Sequence, residues 1–318
     1  MLGIAAIYSE IPDLRVDTRP LAEVLGVNSA TLEKRVGVKR LSRKSDEQDA
    51  SHLCVAAAHK LFASGLATPS QIQCLIVVTQ NPDKGGLPHT SAIVHGKLGL
   101  SEACAAFDVG LGCSGYVYGL SIIKSFMKNN GFRCGLLFTA DPYSKIVDEN
   151  DKRTALLFGD AATVTLITDK PKWKIGRFDF GTQGARSDTL QIQKSDGKLF
   201  MDGRAVLTFS MSQVPPSLTR VVASNGLALE QIDRFVLHQG SRVVVENIAE
   251  RLNVTDKTDF YIEDYGNTVS SSIPIVLAEK IPEGDRYVAI SGFGVGLSWA
   301  STVLERIESA HGIGTISC

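Results

Sequence analysis

The chain has 318 residues, 44% hydrophobic and 21% charged, with 33 Lys and Arg against 34 Asp and Glu for a formal charge of −1. That is soluble globular composition, long enough for two domains of about 150 residues or one larger α/β body. No long basic run speaks for nucleic acid as the main partner, and no apolar run approaches the roughly 18 residues of a membrane span. A cytoplasmic location is expected.

The first residues, MLGIAAIYSEIP (1–12), begin apolar but have neither a basic region nor a small-residue cleavage site, so they read as a strand and not a signal peptide. SHLCVAAAHKLFASG (51–65) has helical length, and CLIVVTQ (74–80) reads as a buried strand. CAAFDVG (104–110) is the next strand, SGYVYGLSIIKSFMKNNG (114–131) a helix, and CGLLFTA (134–140) and ATVTLIT (162–168) two more strands. In the second half RFVLHQ (234–239), a helix near 241–253 and YVAISGFG (287–294) continue the rhythm. Strands alternating with helices point to a largely parallel, layered α/β fold.

The halves resemble each other locally. SGLATPSQIQCLIVVTQ (64–80) and SNGLALEQIDRFVLHQG (224–240) share a helix end, a glycine, a Gln-Ile pair and a strand closing on Gln, with a one-residue gap. Pro171 and the lysines of TDKPKWKIG (168–176) interrupt the pattern where a junction would fall. The expected division is therefore 1–170 and 171–318.

Six cysteines, at 54, 74, 104, 113, 134 and 318, show no CxxC pair and no metal-ligand spacing. Cys54, Cys74, Cys104 and Cys134 sit among apolar neighbours as small core residues, and Cys318 is terminal and expected to be mobile. Cys113 differs. In FDVGLGCSGYVYGL (107–120) it stands among glycines where a strand turns into a helix, and the free N–H groups of a helix start favour a thiolate.

Two further polar residues are delivered by apolar supports. His238 ends the strand FVLHQ, at the sheet edge where α/β folds build sites, although a lone histidine there can equally be a satisfied core residue. Asn267 follows Gly266 in EDYGNTVSSSIPIVLAEKI, a turn running into a helix that begins with small polar residues; alone it could be turn chemistry. ISGFGVGLSWAS (290–301) is a strand entering a glycine-rich bend, either a hairpin or a place where backbone N–H groups approach a ligand. Together these pieces suit acyl transfer: a nucleophilic thiol, an imidazole to bond or move protons, a non-titrating amide donor, and backbone N–H groups for an oxyanion.

With GCSGYVYGL around Cys113, RTALLFGDAA (153–162), VLHQG at His238, YGNTVSSSIP at Asn267 and GFGVGLSW (292–299), the chain resembles the ketoacyl-[acyl carrier protein] synthase III family of thiolase-like condensing enzymes. The resemblance covers nearly the whole length. It implies a duplicated, five-layered αβαβα fold and a homodimer. Elongating ketoacyl synthases place a second His where Asn267 stands, and thiolases a second Cys in the final glycine bend, which GFGVG lacks. By the same resemblance Cys113 takes an acyl group from a thioester, and His238 and Asn267 hold the carbonyl of a malonyl-type extender during decarboxylation. The amides of Cys113 and Val295 then form the oxyanion hole, with Phe293 lining the site. The implied partners are acyl carrier protein and coenzyme A thioesters, and no metal or cofactor is required.

The departures are informative. HQGS replaces the family's HQAN, putting Gly240 and Ser241 in place of an Ala and a substrate-contacting Asn. The tryptophan that stacks on the coenzyme A adenine falls near Thr31, while Arg35 keeps a nearby cation and Lys152 or Arg153 could meet a phosphate. FGDAATV stands for FGDGAGA, and Leu87, in GGLPHTS, falls where relatives reach across the dimer to the partner's acyl pocket. These changes suggest a specialised member. Alternatives are an acyltransferase that passes the Cys113 acyl group to an alcohol or amine, or a silent partner subunit, which the intact Cys-His-Asn series disfavours.

Overall fold

The computed structural model describes residues 1–307, so the expectation for Cys318 lies outside the described residues. In chain order the main-sheet strands are Gly3–Glu10 (β1), Cys74–Val78 (β2), Ala105–Val109 (β3), Cys134–Ala140 (β4), Ala162–Thr168 (β5), Trp173–Thr182 (β6), Arg234–Leu237 (β7), Tyr287–Gly294 (β8) and Ser298–Arg306 (β9). Their spatial order is β7-β8-β9-β6-β1-β5-β4-β2-β3. Within the first half β1 runs antiparallel to β5 and β5 to β4, while β4, β2 and β3 are parallel. The second half repeats this: β6 antiparallel to β9, β9 to β8, and β8 parallel to β7. A short antiparallel contact, Gly3 opposite Lys174 and Ile4 opposite Trp173, joins the two sets.

Both faces of each set are covered, which is why strands such as β2 are apolar at every position. Cys74, Ile76 and Val78 of β2 face a central layer of two helices, Gly115–Asn130 (α2) and Ser272–Glu279 (α5), while Leu75 and Val77 face an outer helix, Ala50–Ala63 (α1). Phe235 and Leu237 of β7 pack on the other outer layer, Gly203–Ser224 (α3) and Arg242–Leu252 (α4). The layers therefore run α, β, α, β, α. This is the thiolase-like fold.

Among the elements that escaped the sequence pattern, β6 and α3 have clear physical reasons. Trp173–Thr182 alternates buried and exposed positions through charged residues, and its start overlaps the interruption that marked the junction. Helix α3 continues through Pro215 and Pro216. An interior proline costs about 3 kcal/mol, but Phe209, Val214, Leu218, Val221 and Val222 are buried along the same helix, at about 1.5–3 kcal/mol each. Packing wins there.

The strand ends position the site. Gln80, Cys113 and Asp141 follow the carboxyl ends of the parallel strands β2, β3 and β4, and His238 follows β7. These are the ends at which open α/β sheets build sites.

Candidate active site

Cys113 sits two residues before α2, in a turn closed by Gly115 N–H donating to the Gly112 carbonyl at 2.7 Å. The turn is tightly cradled. A Cβ on Gly112 would lie 2.4 Å from Gln80 Oε1, and one on Gly292 2.7 Å from the Cys113 carbonyl oxygen. Ser114 Oγ meets Ser298 Oγ at 2.8 Å, tying the turn to β9. Gly294, at φ 155°, comes so close that a Cβ would lie 2.8 Å from the Cys113 sulfur. This strand-to-strand bend is a hairpin and also brings backbone to the thiol, with the N–H groups of Val295 and of Cys113 itself close enough to favour a negative charge on the sulfur.

The expected thiolate is not what the resting site holds. Burial pushes the Cys113 thiol up to about 12, outweighing the two N–H groups, and the charge of Asp141 adds to the rise. Desolvation disfavours the charged form more than a helix start can favour it.

His238 and Asn267 are each 3% exposed. The His238 N–H donates to the Ser291 carbonyl at 2.8 Å, and its ring Nδ1 pairs with Ser272 Oγ at 2.8 Å, leaving Nε2 for the site. The ring stands edge-on to Phe293, 5.6 Å between centroids. Burial lowers the imidazole to about 3, partly opposed by the Val269 backbone, so it is neutral across the physiological range. Gln239, the other half of the HQ pair, bonds the Leu237 carbonyl and the Tyr261 N–H and so fixes the chain.

Asn267 is held by its turn and aimed by it. Gly266, at φ 82°, has no room for a side chain, because a Cβ would lie 2.7 Å from Leu41. Asn267 Oδ1 accepts from the Val269 N–H at 2.8 Å, which turns Nδ2 the other way, within 3.4 Å of the Gly240 carbonyl. Each of the following serines has its own partner. Ser270 donates to Asp141, Ser271 meets Thr139 Oγ1 at 2.8 Å, and Ser272 holds His238. The sequence showed these serines only as small polar residues opening a helix. Their partners lie on or just past strands distant in the chain, so no local signal reveals them.

Cys113, His238, Asn267 and Phe293 line one cavity of about 90 Å³ with Tyr143, Phe158 and Leu190. A second, of about 440 Å³, adjoins it through Leu157, Met201, Gly203, Ser241 and Val244. Arg35, Lys152 and Arg153 line this outer space, joined by Arg204, which no local motif in the sequence marks. Ser241 borders both spaces, whereas Leu87 borders neither and stands 86% exposed. Thr31 lines neither space and is exposed.

The layered duplication and the buried Cys-His-Asn cavity define the thiolase-like class. Residues 107–184 match the family profile described as 3-oxoacyl-[acyl-carrier-protein] synthase III, and residues 222–306 match the profile of its C-terminal part. The chain is 31% identical over 309 residues to the β-ketoacyl-[acyl-carrier-protein] synthase III of Bacillus pumilus (strain SAFR-032), covering 95% of this chain and 98% of that protein. It is 33% identical over 322 residues to the enzyme of the same name from Lactobacillus helveticus (strain DPC 4571), with the same coverage. A crystal structure of a 3-oxoacyl-(acyl-carrier-protein) synthase III superposes with a TM-score of 0.90 at 32% identity, covering 96% of this chain and 99% of the other. The chain belongs to the 3-oxoacyl-[acyl-carrier-protein] synthase III family.

Proposed function

We propose that this chain is an acyltransferase that joins an acyl group to a malonyl-type thioester by decarboxylative Claisen condensation. The observation that carries this is the convergence of Cys113, His238 and Asn267 on one buried cavity, with two backbone N–H groups at the sulfur. The Cys113 sulfur attacks the donor thioester carbonyl. The oxyanion is met by the N–H groups of Cys113 and Val295, and the departing carrier thiolate ends with the proton that Cys113 gives up. Because the resting thiol is protonated, that transfer accompanies attack.

The malonyl thioester then replaces the donor. Its carbonyl oxygen lies between His238 Nε2 and Asn267 Nδ2, both neutral, and accepts charge as the C–C bond to the carboxylate breaks. A dry apolar pocket favours losing the carboxylate charge as carbon dioxide. The enolate carbon attacks the Cys113 thioester, the thiolate is expelled, and one proton from solvent restores the thiol. Thioester and β-carboxylate supply all the reactivity, so the proposed cycle needs no metal or prosthetic group. Transfer to an alcohol or amine would leave the amide of Asn267 without a task.

The outer cavity suits a phosphate-bearing carrier arm. Among the described residues Arg35, Lys152 and Arg204 have no ion-pair partner, whereas Arg153 is held by Asp151 at 2.8 Å. We take Ser241 as a contact for the arm where it passes between the two spaces. The homodimer is supported by the edge strand β3, half-buried at every residue, and by the neighbouring aromatic residues Phe107, Tyr118, Phe178 and Phe180. A second copy covering that edge would also receive the exposed Leu87, the position from which its side chain could reach the partner's acyl pocket.

The test supplies one acyl group on acyl carrier protein, pantetheine and coenzyme A, each with malonyl-acyl carrier protein, and reads the product by mass. A 3-ketoacyl-acyl carrier protein is expected, formed faster from the first two donors. Without an aromatic shelf near Thr31 the adenine loses about 0.5–1.5 kcal/mol of stacking, roughly 2- to 13-fold in affinity. Thr31→Trp should narrow the gap. With an alcohol and an amine acceptor added to the same mixtures, acyl esters or amides in place of the ketoacyl product would overturn the reaction; coenzyme A being fastest, with Thr31→Trp inert, would overturn the carrier preference.

A further inference from the structure

Asp141 is fully buried beside the site, and the chemistry above gives it no step. It accepts a hydrogen bond from the Gln80 N–H at 2.7 Å, another from Ser270 Oγ, and is also reached by the Ser270 N–H and the Thr79 hydroxyl. All these donors are neutral, and among the described residues no Lys or Arg contributes to holding its charge. The two anchors lead to the two halves of the site. Gln80 presses its side-chain oxygen against Gly112, the residue before Cys113, and takes a hydrogen bond from the Tyr143 hydroxyl at 3.2 Å. Ser270 lies three residues beyond Asn267, in the turn whose next residues bond Thr139 and His238.

We propose that Asp141 is a positioning residue that locks the turn carrying Cys113 to the turn carrying Asn267. A carboxylate can accept from several donors at once, whereas an asparagine of the same shape must turn an NH₂ toward groups that are themselves donors. Misplacement of about 1 Å is enough to cost about 10²-fold in rate. A buried charge without a cation is costly to keep, so its retention here needs a task. The proposal rests on the condensation reading for its kinetic consequences, though not for its chemical one. The titratable groups facing Cys113 are Asp141, Tyr143 and His238; Asp141 also faces Cys54 on α1.

The test uses the full chain with Asp141→Asn and Ser270→Ala. Asp141→Asn should slow both Cys113 acylation and malonyl decarboxylation by about 10- to 100-fold, with the donor KM within about threefold of native. Ser270→Ala, which cuts only the asparagine arm, should slow decarboxylation about tenfold and leave acylation within about threefold. Alkylation by iodoacetamide needs no substrate. Removing the charge beside the thiol should raise the Cys113 rate several-fold at about pH 8, with Cys54 and Cys74 still unmodified. Native acylation, decarboxylation and alkylation in Asp141→Asn would overturn the lock, as would equal slowing of both steps by Ser270→Ala. Alkylation spreading to Cys54 and Cys74 would also overturn it, because a loosened core would then explain the kinetics. If the native protein neither acylates nor decarboxylates, the condensation reading falls, and the alkylation rate alone decides: unchanged in Asp141→Asn, it overturns the lock as well.

Discussion

Cys113→Ala should give a folded protein that gains no acyl mass from any thioester. The change removes one sulfur from an existing cavity, so the surrounding turn, pinned by Gly112, Ser114 and Gly292, keeps its contacts. The other described cysteines cannot substitute. Cys54, Cys74 and Cys134 are buried without a place in the cavity, and burial raises Cys54 well above its ordinary range and Cys74 to about 12. Cys104 is raised to about 11 and likewise lies outside the cavity. Thiol acidity thus does not single out Cys113, since its own thiol stands at about 12. Two N–H groups at the sulfur, and open space in front of it, do. Intact-protein mass after incubation with acyl-acyl carrier protein checks this, and any acyl adduct on the alanine variant would refute the assignment. The variant should keep its malonyl decarboxylase activity, because His238 and Asn267 remain.

The second large effect separates the two chemical steps. His238→Ala and Asn267→Ala should each lower malonyl decarboxylation by about 10²- to 10³-fold, the usual loss for one preorganised donor, while slowing Cys113 acylation far less. Asn267→Ala also strands the buried Val269 N–H, at about 1–3 kcal/mol of stability. Asn267→Asp controls for that. It keeps the oxygen that Val269 bonds and gives up the donor together with its long contact to the Gly240 carbonyl, so it should lose decarboxylation while the Val269 bond that closes the turn remains. Steady-state carbon dioxide release and single-turnover acylation, measured on the same preparations, read the two steps. Equal loss of both steps in Asn267→Asp would mean that the residue serves the turn alone.

Much of this was legible in the chain because it depends on local pattern. Strand β2 reads as apolar at every position because layers cover both its faces, and Cys113 declares itself by the glycines that a close backbone approach demands. His238 and Asn267 could be named because strand ends and glycine turns carry their own signals. Helix α3 was hidden by Pro215 and Pro216, whose cost is visible locally while the compensating burial is tertiary. The thiolate expectation failed for the same reason: a helix start is written in the sequence, and the degree of burial is not. Asp141, Gln80 and the partners of Ser270, Ser271 and Ser272 were beyond reach because each acts through contacts distant in the chain, 61 residues for Gln80 to Asp141, 129 for Ser270 to Asp141, 132 for Ser271 to Thr139 and 34 for Ser272 to His238.

The most direct measurement of the central claim starts from acylated protein, freed of donor, and adds malonyl-acyl carrier protein labelled in the free carboxylate. Carbon dioxide is counted while the acyl mass on Cys113 disappears. Condensation predicts one labelled carbon dioxide for each acyl group discharged, with the acyl carbons recovered in a ketoacyl-acyl carrier protein. Discharge of the acyl group without carbon dioxide would contradict it.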